Sequence, residues 1–421
     1  MKAGRVLFFV CFALLILALG CAGNFNSTSQ APNPGTGTAP PVVPVGAPTP
    51  TPSATPTPTP GATPTPTPAP TPRPAPSPTG FLYAIENPNA AAMVEAFGIS
   101  GNGSLAPIST ISAGTFATEI VANSKFVFVG DSQHRPTPIQ LTSYSIGSSG
   151  ALTMADQVTF SNNDDTMTGF LLDSTGAHLY AGSEFAVING RISTYDIGAS
   201  GHMILQSPDN NIGRPVGHLA MSPNGFFVYV AVFPQHHTAE FPGIRLLLRD
   251  PATGTLTDSG RQFPTTCCDQ YTDLAPALGG AYLIGVQNNG ISVPNNNKVT
   301  VFAVNPATGD LTKASELRGD FSDITVDRTG NFAILTNTTG IVTSYRINAD
   351  GTLAPMGNAT AIAGVDNVVV DAGNKFVYVQ SSTAAQIFAF TFDESAGALG
   401  NVPGSPFTTS GVPVRMAAVG K

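Results

Sequence analysis

Residues 218–230 read HLAMSPNGFFVYV, and this stretch decides the fold. An apolar run enters a Ser-Pro-Asn-Gly turn, and a second apolar run, FVYV, leaves it. Pro, Asn and Gly favour tight turns, while aromatic and β-branched residues suit strands buried on both faces. The second run recurs as FLYA (81–84), FVFV (126–129), HLYA (178–181), YLIG (282–285), FAIL (332–335) and FVYV (376–379). Each copy is followed by a third run and then a glycine turn. These turns read SGNGSL (100–105), GSSGAL (147–152), GASGHM (198–203), PATGTL (251–256), PATGDL (306–311), NADGTL (348–353) and ESAGAL (394–399). Seven units of four short strands predict an all-β chain, a seven-bladed β-propeller of four-stranded antiparallel blades.

The two ends of the repeat region predict how the ring closes. FLYA at Phe81 has no apolar strand ahead of it, and VRMAAVGK (414–421) has nothing after it. The C-terminal run is therefore expected to be the innermost strand of the first blade, leaving no open edge. The propeller is assigned residues 81–421.

Residues 1–20 read differently. Lys2 and Arg5 precede an apolar run, VLFFVCFALLILAL (6–19), too short to span a bilayer as a helix. Ala18-Leu19-Gly20-Cys21 resembles a bacterial lipobox, which implies a cleaved signal peptide and lipidation of Cys21. Residues 21–80 form a linker: 19 of the 37 prolines fall between Ala31 and Gly80, many in Thr-Pro repeats such as TPTPTPAPTPRP. Such composition predicts a disordered, extended tether. The protein is expected to be exported and lipid-anchored to the cell envelope, at the outer membrane or cell surface. It would touch the membrane through that lipid alone. Once Cys11 leaves with the signal peptide, Cys267 and Cys268 remain, either as a vicinal disulfide or as two thiols.

Only 10% of residues are charged, the net charge is −8 and no basic patch stands out, so a nucleic-acid partner is not expected. A monomer is expected, with an envelope protein or a carbohydrate as ligand.

Strand alternation divides the loops between two faces. Short turns such as SPNG, DSTG and DRTG lie on one face. Long loops lie on the other: DSQHRPTPIQ (131–140), VFPQHHTAEFPG (232–243), FPTTCCDQYT (263–272) and QNNGISVPNNN (287–297). Varied loops on a rigid scaffold carry function, so the site is expected on the second face. The repeats also align one position at the start of each innermost strand: Arg415, Glu119, Gly169, His218, Asp273, Asp323 and Asn367, spaced by 44 to 55 residues. These seven are expected to ring the central channel. His218 is the candidate base, Asp273 its orienting carboxylate and Arg415 an anion holder. Glu119, Asp323, Asn367 and Arg214 are candidate ligand-binding residues.

Other clusters carry less. His236 and His237, with Glu240, do not share a strand or helix face, and Asp164 with Asp165 lacks the spaced oxygens of a calcium loop. No metal or cofactor is expected, since no P-loop, G-x-S-x-G elbow or zinc spacing occurs. His134 and Arg135 read as a solvated loop.

The repeats HLAMSPNGFFVYV (218–230) and VTVFAVNPATGDLT (299–312) resemble the 6-phosphogluconolactonase-like seven-bladed propellers, and equally the broader YVTN-type surface propellers. In the lactonase family a Pro-Arg-His run precedes such a strand and Asn-Glu follows the next. His218 falls on the family histidine, Gly217 on its arginine, and Val232-Phe233 on Asn-Glu. The resemblance implies the fold. For function it leaves two readings: a ligand- or protein-binding envelope propeller, or a carbohydrate lactone hydrolase with His218 as base and Arg415 or Arg214 holding the substrate anion.

Overall fold

The computed structural model describes residues 77–421 except 87–90, 133–138, 160–164, 186–188, 207–209, 234–241, 265–269, 289–296, 338, 362–363 and 382. The signal, Cys21, most of the tether, Cys267, Cys268, His134, Arg135, His236, His237 and Glu240 lie outside the described residues, as do Asp164 and the side chain of Asp165. The described chain forms seven antiparallel sheets. Its only described helical element is the 3₁₀ turn Leu278–Gly280. None of its helices is long and apolar enough to cross a membrane.

The innermost strands, in blade order, are Pro413–Gly420, Ala117–Ala122, Asp165–Leu172, Val216–Met221, Gln270–Ala277, Asp323–Val326 and Val365–Val370. The first belongs to the C-terminus. Pro413–Gly420 pairs antiparallel with Gly80–Glu86, in the register Phe81–Val419 and Tyr83–Ala417. The closure expected from the sequence is therefore present. Blades 3 and 7 depart from the four-strand pattern, because their outer strands are split, into Met203–Leu205 and Asn210–Asn211 in blade 3 and into Leu399–Asn401 and Phe407–Thr408 in blade 7. Pro403 and Pro406 sit in the blade 7 gap, and neither offers an N–H to the ladder.

Period-2 alternation sends the side chains of each strand to two interfaces. Phe81 and Tyr83 pack toward blade 2, and Leu82 and Ala84 toward blade 7. Seven apolar clusters result, one at each interface. Burying one such aromatic or aliphatic side chain contributes roughly 1.5–3 kcal/mol.

A second contact repeats at every interface. Gly103, Gly150, Gly201, Gly254, Gly309, Gly351 and Gly397 all have positive φ, from 69° to 89°. A Cβ on any of them would strike the ring that opens the second strand of the preceding blade: Phe376, Phe81, Phe126, His178, Phe227, Tyr282 and Phe332 respectively. The turn also offers a carbonyl. Tyr83, Tyr180, Tyr229 and Tyr378 donate their hydroxyls to the carbonyls of Gly150, Gly254, Gly309 and Gly103 at 2.8–3.1 Å. In blade 2 the tyrosine position is Phe128, and its cross-strand neighbour Ser143 donates to Gly201 instead. In blade 6 the position is Ile334, and its neighbour Ser344 donates to Gly397. Blade 5 uses Tyr282 to the Ala349 carbonyl and Ser315 to that of Gly351. Between blades 3 and 4 the ring is His178, held by Asp173 at 2.8 Å, and buried Arg249 binds the same carboxylate at 2.7 Å.

The closing seam holds a buried acid pair. Glu86 ends the second strand of blade 1 and faces Glu95 of the third strand, beside Ser410 and Gly411. Burial, then contact with Glu95, pushes the Glu86 carboxyl up to about 8, so it is protonated at neutral pH. Glu95 accepts the backbone N–H and the hydroxyl of Ser410, both at 2.8 Å.

Two outcomes follow. Removing residues 412–421 exposes an edge and empties one side of two interfaces, so the truncated chain is expected to lose its cooperative thermal transition. A melt as sharp and as hot as that of the full chain would refute the closure. For Glu86 the folded pKa lies above the unfolded one, so its contribution is complete below about 4.5 and is lost as pH rises through about 8. The melting temperature is expected to fall between pH 7 and 9, and to fall less in Glu86→Gln. Equal slopes in the two proteins would contradict this.

Candidate functional site

The aligned positions meet at the centre of the ring. Glu119, His218, Asp273, Asp323, Asn367 and Arg415 line one cavity of about 740 Å³. Gly169 adds no side chain, and its neighbour Phe170 lines the cavity in its place. From this level the cavity runs toward the face of short turns, where Ser174, Pro223, Gly279 and Thr329 border it. The long loops expected to frame the other side fall mostly outside the described residues. Arg214 is absent from the cavity wall; it precedes the inner strand of blade 4. Partial burial and then the charge of Arg245 lower its guanidinium pKa.

A strand normally points its side chains at the neighbouring blades, so a ring of side chains facing the channel needs a local device. In six blades the register between first and second strands slips by one residue at this level. The slips fall between Ala117 and Glu119, Met167 and Gly169, Val216 and Leu219, Tyr271 and Asp273, Val365 and Asn367, and at Pro413–Arg415. Such bulges twist the strand and re-aim the next side chain.

Around the ring, backbone N–H groups at this level face the side chain of the preceding blade. Asp273 Oδ2 accepts from the N–H of Ile324 at 3.4 Å, and Asp323 Oδ2 accepts from that of Val368 at 2.7 Å. Asn367 Oδ1 accepts from the N–H of Met416 at 2.9 Å, and the Asn367 amide donates to Asp323 Oδ2 at 3.2 Å. The polar ring is thus partly a belt joining blades 5, 6, 7 and 1.

His218 carries the most chemical content. Its Nδ1 lies 3.0 Å from Asp273 Oδ1 and 3.2 Å from the N–H of Leu274. That N–H makes its shorter bond, 2.7 Å, to Asp273 Oδ1. Nδ1 is therefore left to donate to the carboxylate, and Nε2 is the acceptor nitrogen. The side chain lies deep in the ring but keeps 26% exposure to the cavity. Burial, then the positive charge of Arg415, lowers its pKa to about 4, outweighing the raising effect of Glu119 and Asp323. Glu119, Asp273 and Asp323 are all shifted upward, chiefly by burial, with Arg415 opposing each shift.

One contact was invisible in the sequence. A Cβ on Gly217 would meet the ring of Phe233 at 2.6 Å. These residues occupy the positions where the lactonase motif has an arginine and a glutamate. An aromatic ring therefore rests on a glycine next to His218.

No protein-family model and no curated protein matches the chain. Solved structures do. A candidate 6-phosphogluconolactonase from Bacteroides fragilis superposes with a TM-score of 0.66 at 14% identity, covering 82% of this chain and 100% of that one. The periplasmic gluconolactonase of Pseudomonas aeruginosa gives 0.64 at 16% identity, covering 81% and 99%. A Lactobacillus plantarum protein gives 0.66 at 11% identity, covering 81% and 99%. The class is thereby defined as the seven-bladed propeller fold shared with structures described as lactonases. At these identities the likeness establishes the fold alone.

Because the His218 pKa is depressed in the fold, the unfolded chain binds more protons between about 4 and 6.5, and stability falls as pH drops through that window. The imidazole C–H signals of His218 in an NMR titration are expected to move with a midpoint near 4. A midpoint near 6.5 would mean that the ring is not desolvated as described.

Proposed function

We propose that the chain hydrolyses lactones, with His218 as general base in the central cavity. The carrying observation is a neutral imidazole fixed at Nδ1 by Asp273 in a cavity that also holds Arg415. The structural likeness to the P. aeruginosa gluconolactonase supports the same reading. In this mechanism Nε2 removes a proton from water as its oxygen bonds to the lactone carbonyl carbon. The guanidinium of Arg415 holds the oxyanion. Collapse breaks the ring C–O bond, and the imidazolium returns its proton to the departing alkoxide, giving a hydroxy acid. Asp273 stabilises the transient imidazolium.

The reading favours unphosphorylated lactones. Gly217 and Phe233 are uncharged at the positions where the lactonase family motif carries charge. Export, proposed from residues 1–21, would also separate the protein from cytoplasmic sugar phosphates. The reading includes lipidation at Cys21 and a Pro-rich tether that lifts the propeller off the membrane.

A second reading draws on the belt. The side chains of Asp273, Asp323 and Asn367 already engage the backbone of a neighbouring blade, which suits a non-catalytic propeller that binds an envelope partner through its long loops.

The deciding measurement is hydrolysis of a panel of neutral five- and six-membered sugar lactones, followed by acid release. His218→Ala is expected to lower kcat/KM by about 10²-fold or more, the usual scale for a lost general base. His202→Ala, on the outer surface at 62% exposure, is expected to change nothing. No turnover in the parent chain, together with capture of an envelope protein that depends on residues 232–243, selects the second reading.

A further inference from the structure

The carboxyl groups of Asp273 and Asp323 meet in the gap between blades 5 and 6. Each is buried, with 6% and 3% of the residue exposed. Asp273 already receives three donors: the N–H of Leu274 and His218 Nδ1 on Oδ1, and the N–H of Ile324 on Oδ2. Asp323 receives the N–H of Val368 and the amide of Asn367, both on Oδ2. The two carboxyls lie within hydrogen-bond reach of each other, a contact that is favourable when one of them holds a proton. Asp273 has the richer set of donors, so it is the ionised partner and Asp323 the acid.

We propose that Asp323 is a neutral carboxylic acid that donates its proton to Asp273, and so acts as a positioning residue for the Asp273–His218 pair rather than as a ligand for substrate. The chain of bonds runs from Asn367 through Asp323 and Asp273 to His218, crossing blades 7, 6, 5 and 4. Each link orients the next. The charged and titratable groups acting on Asp323 and on its partner Asp273 are consistent with this. Burial and the Asp273 carboxylate raise the Asp323 pKa well above its ordinary value, and Arg415, whose charge acts on both carboxyls, is outweighed at Asp323. Glu119 and His218 share the cavity wall with them, and Asp327 and Arg328 line it at the short turns. The positioning purpose rests on the lactone-hydrolase reading, whereas the proton does not.

Asp323→Asn tests the proton directly, because an amide nitrogen can donate to Asp273 while its oxygen accepts from Val368. Infrared spectra of the full chain at pH 7 are expected to contain a carboxylic-acid C=O band that weakens in Asp323→Asn. Since Glu86 also holds a proton, Glu86→Gln is the background for both proteins. Thermal melts are expected to agree between the two at pH 6. At pH 9 the parent is expected to melt lower than the Asn variant, because a raised carboxyl pKa removes stability as pH rises. An unchanged band, or an Asn variant that melts lower at both pH values, would overturn the proposal. If the chain turns over lactones, Asp323→Asn is expected to keep kcat/KM within about threefold and to extend activity to higher pH. Asp323→Ala is expected to lose at least tenfold. The infrared and melting results stand even if no lactone is hydrolysed, so the two readings fail separately.

Discussion

The structure depends on one contact made seven times: a ring from one blade laid against the positive-φ glycine of the next blade's outer turn, with a hydroxyl donated to a carbonyl of the same turn. Only glycine gives both the backbone angle and the room for the ring. The contact sets the spacing between neighbouring sheets, and because every blade both gives and receives one, the ring angle is set repeatedly. Where tyrosine is missing, in blades 2, 5 and 6, a serine of another strand supplies the hydroxyl. The conserved quantity is a donor in one place, whichever strand carries it.

This outer clamp lets the centre be polar. Aromatic and aliphatic side chains hold the blades together away from the axis, so the innermost strands can bulge and turn charged side chains inward without opening the ring. Glu119, His218, Asp273, Asp323 and Arg415 then share one cavity of about 740 Å³. Burial there favours the neutral forms of the carboxyls, and burial with the charge of Arg415 keeps His218 free of a proton at neutral pH. An imidazole that stays neutral and oriented is the feature that supports chemistry, while the belt of side-chain to backbone bonds explains why polar residues stand here even without chemistry.

Much of this was legible in the order of residues. The glycine turns and FVYV-like strands announce the blade, and the unpartnered strand at each end of the repeat announces the closure, because strand periodicity and turn preference are local properties. The alignment also named the ring positions, since each repeat begins its inner strand at the same place. It could not show that Arg214 stays off the cavity wall, because that depends on where the chain enters blade 4. Nor could it show that Phe233 rests on Gly217 or that Glu86 meets Glu95, since those pairs are joined only by packing between strands.

The sequence by itself determined the all-β repeat, the count of seven blades, the strand that zips the ring and the positions that face its axis, because all of these follow from short-range patterning. Tertiary structure alone decided which carboxyl keeps a proton, which nitrogen of His218 is the acceptor and how much water reaches it. Those are questions of distance and burial among residues some fifty positions apart, and only closure of the ring brings them within a hydrogen bond of one another.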